Sequence, residues 1–197
     1  ALDWLEAYTG MPCPFDKQDF IILPGFQFGG MEHVGATLYN DTQLFLGPNP
    51  TPDEELRRIQ LIAHETAHAW FGNLVTMDWF DDVWTKEVFA NHFSAWITEP
   101  LFPSVNHKLQ RLRTFFASAL SEDRTPGTNA IHQELDNLRN AGLIYGQIIY
   151  NKAPVVMGKI IELMGEDAFR EGIREYLRTY AYSNATWDDL IHILDRH

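Results

Sequence analysis

Thr51-Pro52-Asp53-Glu54-Glu55-Leu56-Arg57-Arg58-Ile59-Gln60-Leu61-Ile62-Ala63-His64-Glu65-Thr66-Ala67-His68-Ala69-Trp70-Phe71-Gly72 carries its own start and stop signals. A capping hydroxyl, a proline at the first helical position and a glutamate at the third predict a helix from Pro52. Gly72 offers a left-handed stop after Phe71. Leu56, Ile59, Ala63, Ala67 and Trp70 share one face, while Leu61, Ile62 and Phe71 cover others. The second half is therefore apolar nearly all round, which predicts burial. Set into that half are His64 and His68, and a step of four residues brings both imidazoles to one point. This H-E-x-x-H arrangement suits two neutral imidazoles on one zinc, with Glu65 between them as a base.

A catalytic zinc needs a third protein ligand and an open fourth position. Glu87, in Trp84-Thr85-Lys86-Glu87-Val88-Phe89-Ala90, is the candidate. Eighteen residues separate it from His68, enough for a helix end, a turn and the first turn of another helix. Trp84, Val88 and Phe89 give it an apolar neighbourhood, where a carboxylate requires a partner.

Outward from this pair, Phe20-Ile21-Ile22-Leu23 closed by Pro24-Gly25 predicts a short buried strand. A second extended stretch runs from Gly29-Gly30 to Tyr39, and Leu44-Phe45-Leu46 suggests a third. Residues 82–97, 104–120, 150–164 and 167–180 read as helices, and 121–142 as an irregular loop. Ala1 to Tyr8 resembles a helix tail stopped by Gly10, and Thr186-Trp187-Asp188-Asp189 a capped helix start. A small sheet followed by helices is an α+β arrangement. With helical patterns running into both ends, residues 1–197 read as a single domain excised from a larger protein.

The composition supports a globular chain: 197 residues, 45% hydrophobic and 21% charged, enough for one domain with a real core and too apolar for disorder. No apolar stretch approaches the ~18 residues of a membrane span. Fifteen basic against 27 acidic side chains give a net charge of −12, which argues against a nucleic-acid partner and suits solubility or a cationic ligand. Cys13, the single cysteine, allows no intrachain disulfide. His92 and His132 read as packed or surface histidines, and Asp78, Asp81 and Asp82 as caps for the helix that carries Glu87.

The spacing His64-Glu65-x-x-His68, eighteen residues, Glu87 resembles the gluzincin metallopeptidases, and specifically the aminopeptidase N family. Trp70-Phe71-Gly72-Asn73-Leu74-Val75-Thr76-Met77 and Trp79-Phe80-x-x-Val83-Trp84 look like that family's linking segment. Gly29-Gly30-Met31-Glu32-His33 resembles its G-x-M-E-N exopeptidase motif, and Tyr150-Asn151-Lys152-Ala153 its Y-x-K-G segment. The match covers nearly the whole chain. It departs at His33 for Asn, at Lys86 and Val88 for the Asn and Gly beside the metal glutamate, and at Ala153-Pro154 for the Gly after Lys152.

This resemblance implies a thermolysin-like zinc peptidase catalytic domain, with flanking domains of the same full-length protein as partners. It implies one Zn2+ per chain on His64, His68 and Glu87, with Glu65 as general base and then acid. Tyr150 is implied as the donor to the developing oxyanion, and Glu32 as the carboxylate holding a substrate's α-ammonium. Gly29, Gly30 and Met31 would line the peptide, the glycines allowing close backbone approach. The expected function is zinc-dependent release of N-terminal residues from peptides with a free N-terminus. The alternatives are a zinc endopeptidase with the same core chemistry, favoured if His33 spoils the amine site, and a catalytically silent zinc-bearing peptide-binding module.

Overall fold

The computed structural model describes residues 1–146 and 148–197, with all of their side chains except those of Leu143 and Ile144. Helix α1 (Leu2–Thr9) ends where Gly10 takes φ 68°. Strands β1 (Asp19–Leu23), β2 (Gly30–Met31) and β3 (Ala36–Asn40) form a sheet in the order β1-β3-β2, with β1 parallel and β2 antiparallel to β3. A short helix α2 (Asp41–Leu44) follows at once, then α3 (Pro52–Ala67) and β4 (Val75–Met77). Helix α4 (Trp84–Thr98) leads into α5 (His107–Arg111) and α6 (Ala117–Asp123), which a π-helical segment over Leu112–Phe116 joins into one run. After an irregular stretch come α7 (Ala141–Ile144), a π-helical turn over Ile148–Lys152 and α8 (Ala153–Met164). Helix α9 (Glu166–Tyr180), β5 (Ser183–Ala185) and α10 (Trp187–Leu194) complete an α+β fold.

The core is built on α3 and α4, which pack directly on each other. Ala63 and Ala67 let α4 come close, and Phe71 lies 4.8 Å from Phe89 and 4.9 Å from Phe93, ring to ring. Met157 and Ile161 of α8, with Phe169, Ile173 and Tyr176 of α9, close the far side of the same cluster. Strand β4 pairs in parallel with β5, joining Val75 to Ser183.

Both capping boxes form. Thr51 Oγ1 accepts the Glu54 N–H at 3.3 Å while Glu54 accepts the Thr51 N–H at 2.8 Å. Thr186 and Asp189 repeat the pattern at 3.2 and 2.8 Å. Other expectations need correction. The apolar run in β1 is largely on the surface, with Phe20 48% and Ile21 40% exposed; successive side chains point to opposite faces, so neither face of the strand is covered there. Leu44-Phe45-Leu46 is no strand. The Asn40 side chain accepts the Thr42 N–H at 2.9 Å and starts α2 instead, a local cap that outweighs three apolar residues. Helix α3 stops at Ala67 rather than Phe71. Beyond it the N–H groups of Asn73, Leu74 and Val75 bond to the carbonyls of His68, Ala69 and Trp70, so the chain leaves the helix in a widened turn. Asp82 does not cap α4. Its Oδ2 accepts the Trp187 N–H of α10 at 2.9 Å, and His132 Nδ1 sits 3.2 Å from its Oδ1.

Candidate active site

Helix α3 delivers His64 and Glu65, its C-cap residue is His68, and the first turn of α4 delivers Glu87; the four meet because the two helices pack face to face. His64 and His68 stand nearly perpendicular, with ring centroids 4.8 Å apart and Nε2 atoms 3.2 Å apart. Glu87 Oε2 lies 3.4 Å from His64 Nε2 and 3.7 Å from His68 Nε2. The outer ring nitrogens are engaged. His68 Nδ1 is 2.9 Å from the Phe71 carbonyl, which can only accept, so Nδ1 carries the proton and Nε2 turns its lone pair inward. His64 Nδ1 is 3.1 Å from Asn91 Oδ1. Asn91 faces that way because its amide donates to the Tyr150 carbonyl at 3.3 Å. Outer partners of this kind fix the tautomer and orientation of metal-ligating histidines.

Two imidazole lone pairs and a carboxylate oxygen at these separations repel unless a positive charge lies among them. Burial pulls the Glu87 carboxyl upward, but the His64 hydrogen bond and the nearby His68 and Lys86 outweigh it and hold the group well below the usual carboxylate range. Burial lowers His68 to about 4, whereas His64 is raised, its burial outweighed by Glu87. A positive charge at this point would relieve that repulsion. The donor set fits a metal. Among the described residues His64, His68 and Glu87 form one group able to hold an ion, and Glu32, Glu65 and His68 a second. The first presents the two-nitrogen, one-oxygen set of a tetrahedral catalytic site, while the second competes with Lys86 for Glu32.

Glu65 lies beside this centre, 6% exposed. Among the described residues its Oε2 is buried without a hydrogen-bond partner, and burial pushes its carboxyl up to about 7. A carboxylate near neutrality is suited to taking and returning a proton. Gly30 makes room for it, since a Cβ there would fall 2.6 Å from Glu65 Cγ and closer to the carboxylate. Gly29, Gly30, Met31, Glu32, His64, Glu65, His68, Glu87 and Tyr150 all line one cavity of about 770 Å3. Burial raises the Tyr150 phenol above its usual range, so it keeps its proton at neutral pH. The edge strand β2 runs along the same cavity, so a peptide has a backbone to pair with.

Three residues were missed from sequence. Asn91 orients His64, and its signal was available, since it follows Glu87 by four residues and shares its helix face. Tyr145 lines the cavity with Tyr150, their rings 6.3 Å apart. Lys86 bonds Glu32 Oε1 and lies 3.2 Å from Glu87 Oε1. His33, the departure expected to disturb Glu32, is exposed.

The Peptidase family M1 domain matches residues 1–197. The chain is 35% identical to the puromycin-sensitive aminopeptidase of Caenorhabditis elegans over 96% of its length and 20% of that protein. It is 32% identical to probable aminopeptidase 2 of Sulfurisphaera tokodaii over 99% of this chain and 25% of that one. With the leucyl aminopeptidase of Saccharolobus solfataricus it shares 33% over 96% of this chain and 24% of that protein. It therefore spans a fifth to a quarter of the length of these relatives. The histidine pair, the buried glutamate beside it and Glu87 stand where one family domain covers the chain from end to end, and the chain belongs to peptidase family M1, the aminopeptidase N family.

Proposed function

We propose that residues 1–197 are the catalytic domain of a zinc metallo-aminopeptidase, acting with flanking domains of a longer protein to release N-terminal residues from peptides. The observation that carries this is the convergence of His64 Nε2, His68 Nε2 and Glu87 Oε2 beside a buried, unpartnered Glu65 oxygen. The chemistry supplied by zinc on these three ligands is Lewis-acid polarisation of the scissile carbonyl and of the attacking water. Glu65 takes a proton from that water and returns it to the leaving amine. Tyr150 donates its phenolic hydrogen bond to the developing oxyanion. Glu32 holds the α-ammonium through a charge-assisted hydrogen bond, and β2 aligns the peptide as an added strand. The names of the M1 relatives, all aminopeptidases, support the exopeptidase reading.

The test is made on the full-length protein. Elemental analysis should find one zinc per chain, lost in His64→Ala and kept in Glu65→Gln. Glu65→Gln should lose ~10²–10⁴-fold of turnover, and a peptide should be cut faster than its N-acetylated form. Active protein without zinc, or parental turnover in Glu65→Gln, refutes the proposal. A zinc endopeptidase is the second reading, and one observation favours it: Lys86 already bonds the carboxylate that a free N-terminus needs. Equal cleavage of free and acetylated peptides would select it.

A further inference from the structure

Lys86 stands one residue before Glu87, and its ammonium is shared between two carboxylates. Its Nζ bonds Glu32 Oε1 and lies 3.2 Å from Glu87 Oε1. The side chains of Lys86, Glu32 and Glu87 are only 16%, 13% and 5% exposed, so solvent screens their charges weakly. Both partners are steered into place. Gly72, at φ 126°, clears the path of the lysine stem, since a Cβ there would meet Lys86 Cδ at 3.2 Å. Asn73 Nδ2 donates to the Glu32 carbonyl at 2.8 Å and fixes the backbone behind the carboxylate. Glu87 keeps Oε2 towards the histidines and turns Oε1 to Lys86. The lysine can therefore lean on Glu87 without taking the oxygen that faces His64.

We propose that Lys86 is a specificity-determining residue: a resident cation on Glu32 that a substrate's α-ammonium must displace, leaving Lys86 on Glu87 alone. This rests on the reading of Glu32 as the amine anchor. Two ammonium groups on one carboxylate oxygen repel each other, so a free N-terminus gains its bond to Glu32 only as Lys86 gives up its own. A blocked N-terminus carries no charge and triggers no such exchange. The advantage of free over blocked peptides is thereby compressed, and the identity of residue 86 sets how far.

The experiment compares kcat/KM for one peptide with and without an N-acetyl group, in the full-length zinc-loaded protein and in Lys86→Met, Lys86→Arg and Glu32→Gln. Lys86→Met removes the charge and keeps most of the stem. The free-to-blocked ratio should rise on the order of 10-fold, one charge-assisted hydrogen bond's worth, mainly through a lower KM for the free peptide. Lys86→Arg keeps a competing cation and should leave the ratio low. Equal rises in both variants, or no rise in Lys86→Met, overturn the proposal. Glu32→Gln separates the two readings. If it leaves the ratio unchanged, the amine-anchor reading itself fails. If it collapses the ratio while Lys86→Met does not move it, only the role of Lys86 fails. Should Lys86→Met not fold or not keep zinc, a crystal structure of the unaltered protein with alaninamide decides. Nζ displaced from Glu32 onto Glu87 supports the exchange, and Nζ still on Glu32 beside bound alaninamide overturns it.

Discussion

Gly30→Ala adds one methyl group, and its consequences can be worked out from the strand and the helix that meet there. Gly30 pairs with Tyr39 across β2 and β3, and the neighbouring Gly29 carbonyl accepts the Asn40 N–H at 2.9 Å. The strand is thus held from behind and cannot retreat easily. The new Cβ would lie 2.6 Å from Glu65 Cγ and closer to the carboxylate, distances that real contacts do not reach. Glu65 must move, and the space open to it is the cavity that it lines, away from its position beside His64 and His68. Gly30 does not need the left-handed region, since its φ is not positive, so alanine brings no backbone penalty of its own. Overpacking of this kind costs ~1–3 kcal/mol of stability. A misplacement of ~1 Å at a reacting group costs ~10²-fold in rate, and complete loss of the base would reach ~10⁴-fold.

The assay is turnover of a free peptide by full-length Gly30→Ala, with zinc content and thermal unfolding measured on the same sample. We expect retained zinc, a modest loss of stability and a fall in kcat of ~10²-fold or more. Coupling supplies the decisive comparison. In a Glu65→Gln background the clash persists but there is no base left to displace, so the double variant should be about as slow as Glu65→Gln alone. Parental kcat in Gly30→Ala refutes the argument. So does a double variant whose losses multiply in full, since the methyl group would then act on something other than Glu65.

Tyr150→Phe removes one donor and little volume, so kcat should fall ~10²–10³-fold with KM nearly unchanged; a change confined to KM would make Tyr150 a ground-state contact. Asn91→Ala frees His64 Nδ1 and the Tyr150 carbonyl together, and zinc affinity measured by competition with a chelator should weaken ~10–100-fold. Unchanged affinity would remove Asn91 from the support of the site. His92 is packed 4.2 Å from Trp96, ring to ring, and burial, aided by Arg111, lowers it to about 3. Its folded pKa is depressed, so the unfolded chain binds more protons below the ordinary ~6.5 and stability is lost as pH falls from there. Relative to His92→Leu, the parent should lose ~2 kcal/mol between pH 6.5 and 5 in denaturant titrations. A constant difference between the two proteins over that range would refute it.

What the sequence made legible is what short-range rules govern. The caps of α3 and α10, the face shared by His64 and His68 and the apolar setting of Glu87 depend on residues no more than four apart. The stop of α1 at Gly10 is of the same kind. What it hid depends on contacts that only the tertiary fold creates. Strands β4 and β5 pair across 108 residues, as between Thr76 and Asn184, and neither carries an alternating pattern long enough to announce itself. Asp82 stands just before α4 in the chain yet spends its carboxylate on α10, 105 residues away. The sequence places His33 beside Glu32, which made it the expected disturbance there. Its side chain is exposed, and the group that bonds the Glu32 carboxylate is Lys86, 54 residues beyond Glu32.

Three glutamates of one residue type therefore occupy one cavity with three different partners. Glu87 faces two imidazoles and is held ionised, as the proposed role of metal ligand requires. Glu32 is also held low, its burial outweighed by His68 and Lys86, so it stays an anion fit to hold a cation. Glu65 alone has a buried oxygen without a partner among the described residues, and burial leaves it near neutrality. Environments that push like groups apart in this way would let one site separate the proposed ligand, anchor and base. The separation has a physical condition. Three carboxylates so close cannot all be ionised without compensation, and Lys86 supplies one positive charge while the gap between His64 and His68 calls for more. A metal ion at that gap and an ammonium on Glu32 are then the same electrostatic requirement met twice. On the proposed reading the first would be met by an ion held by the histidines and Glu87, the second by Lys86 until a substrate's own amine takes its place.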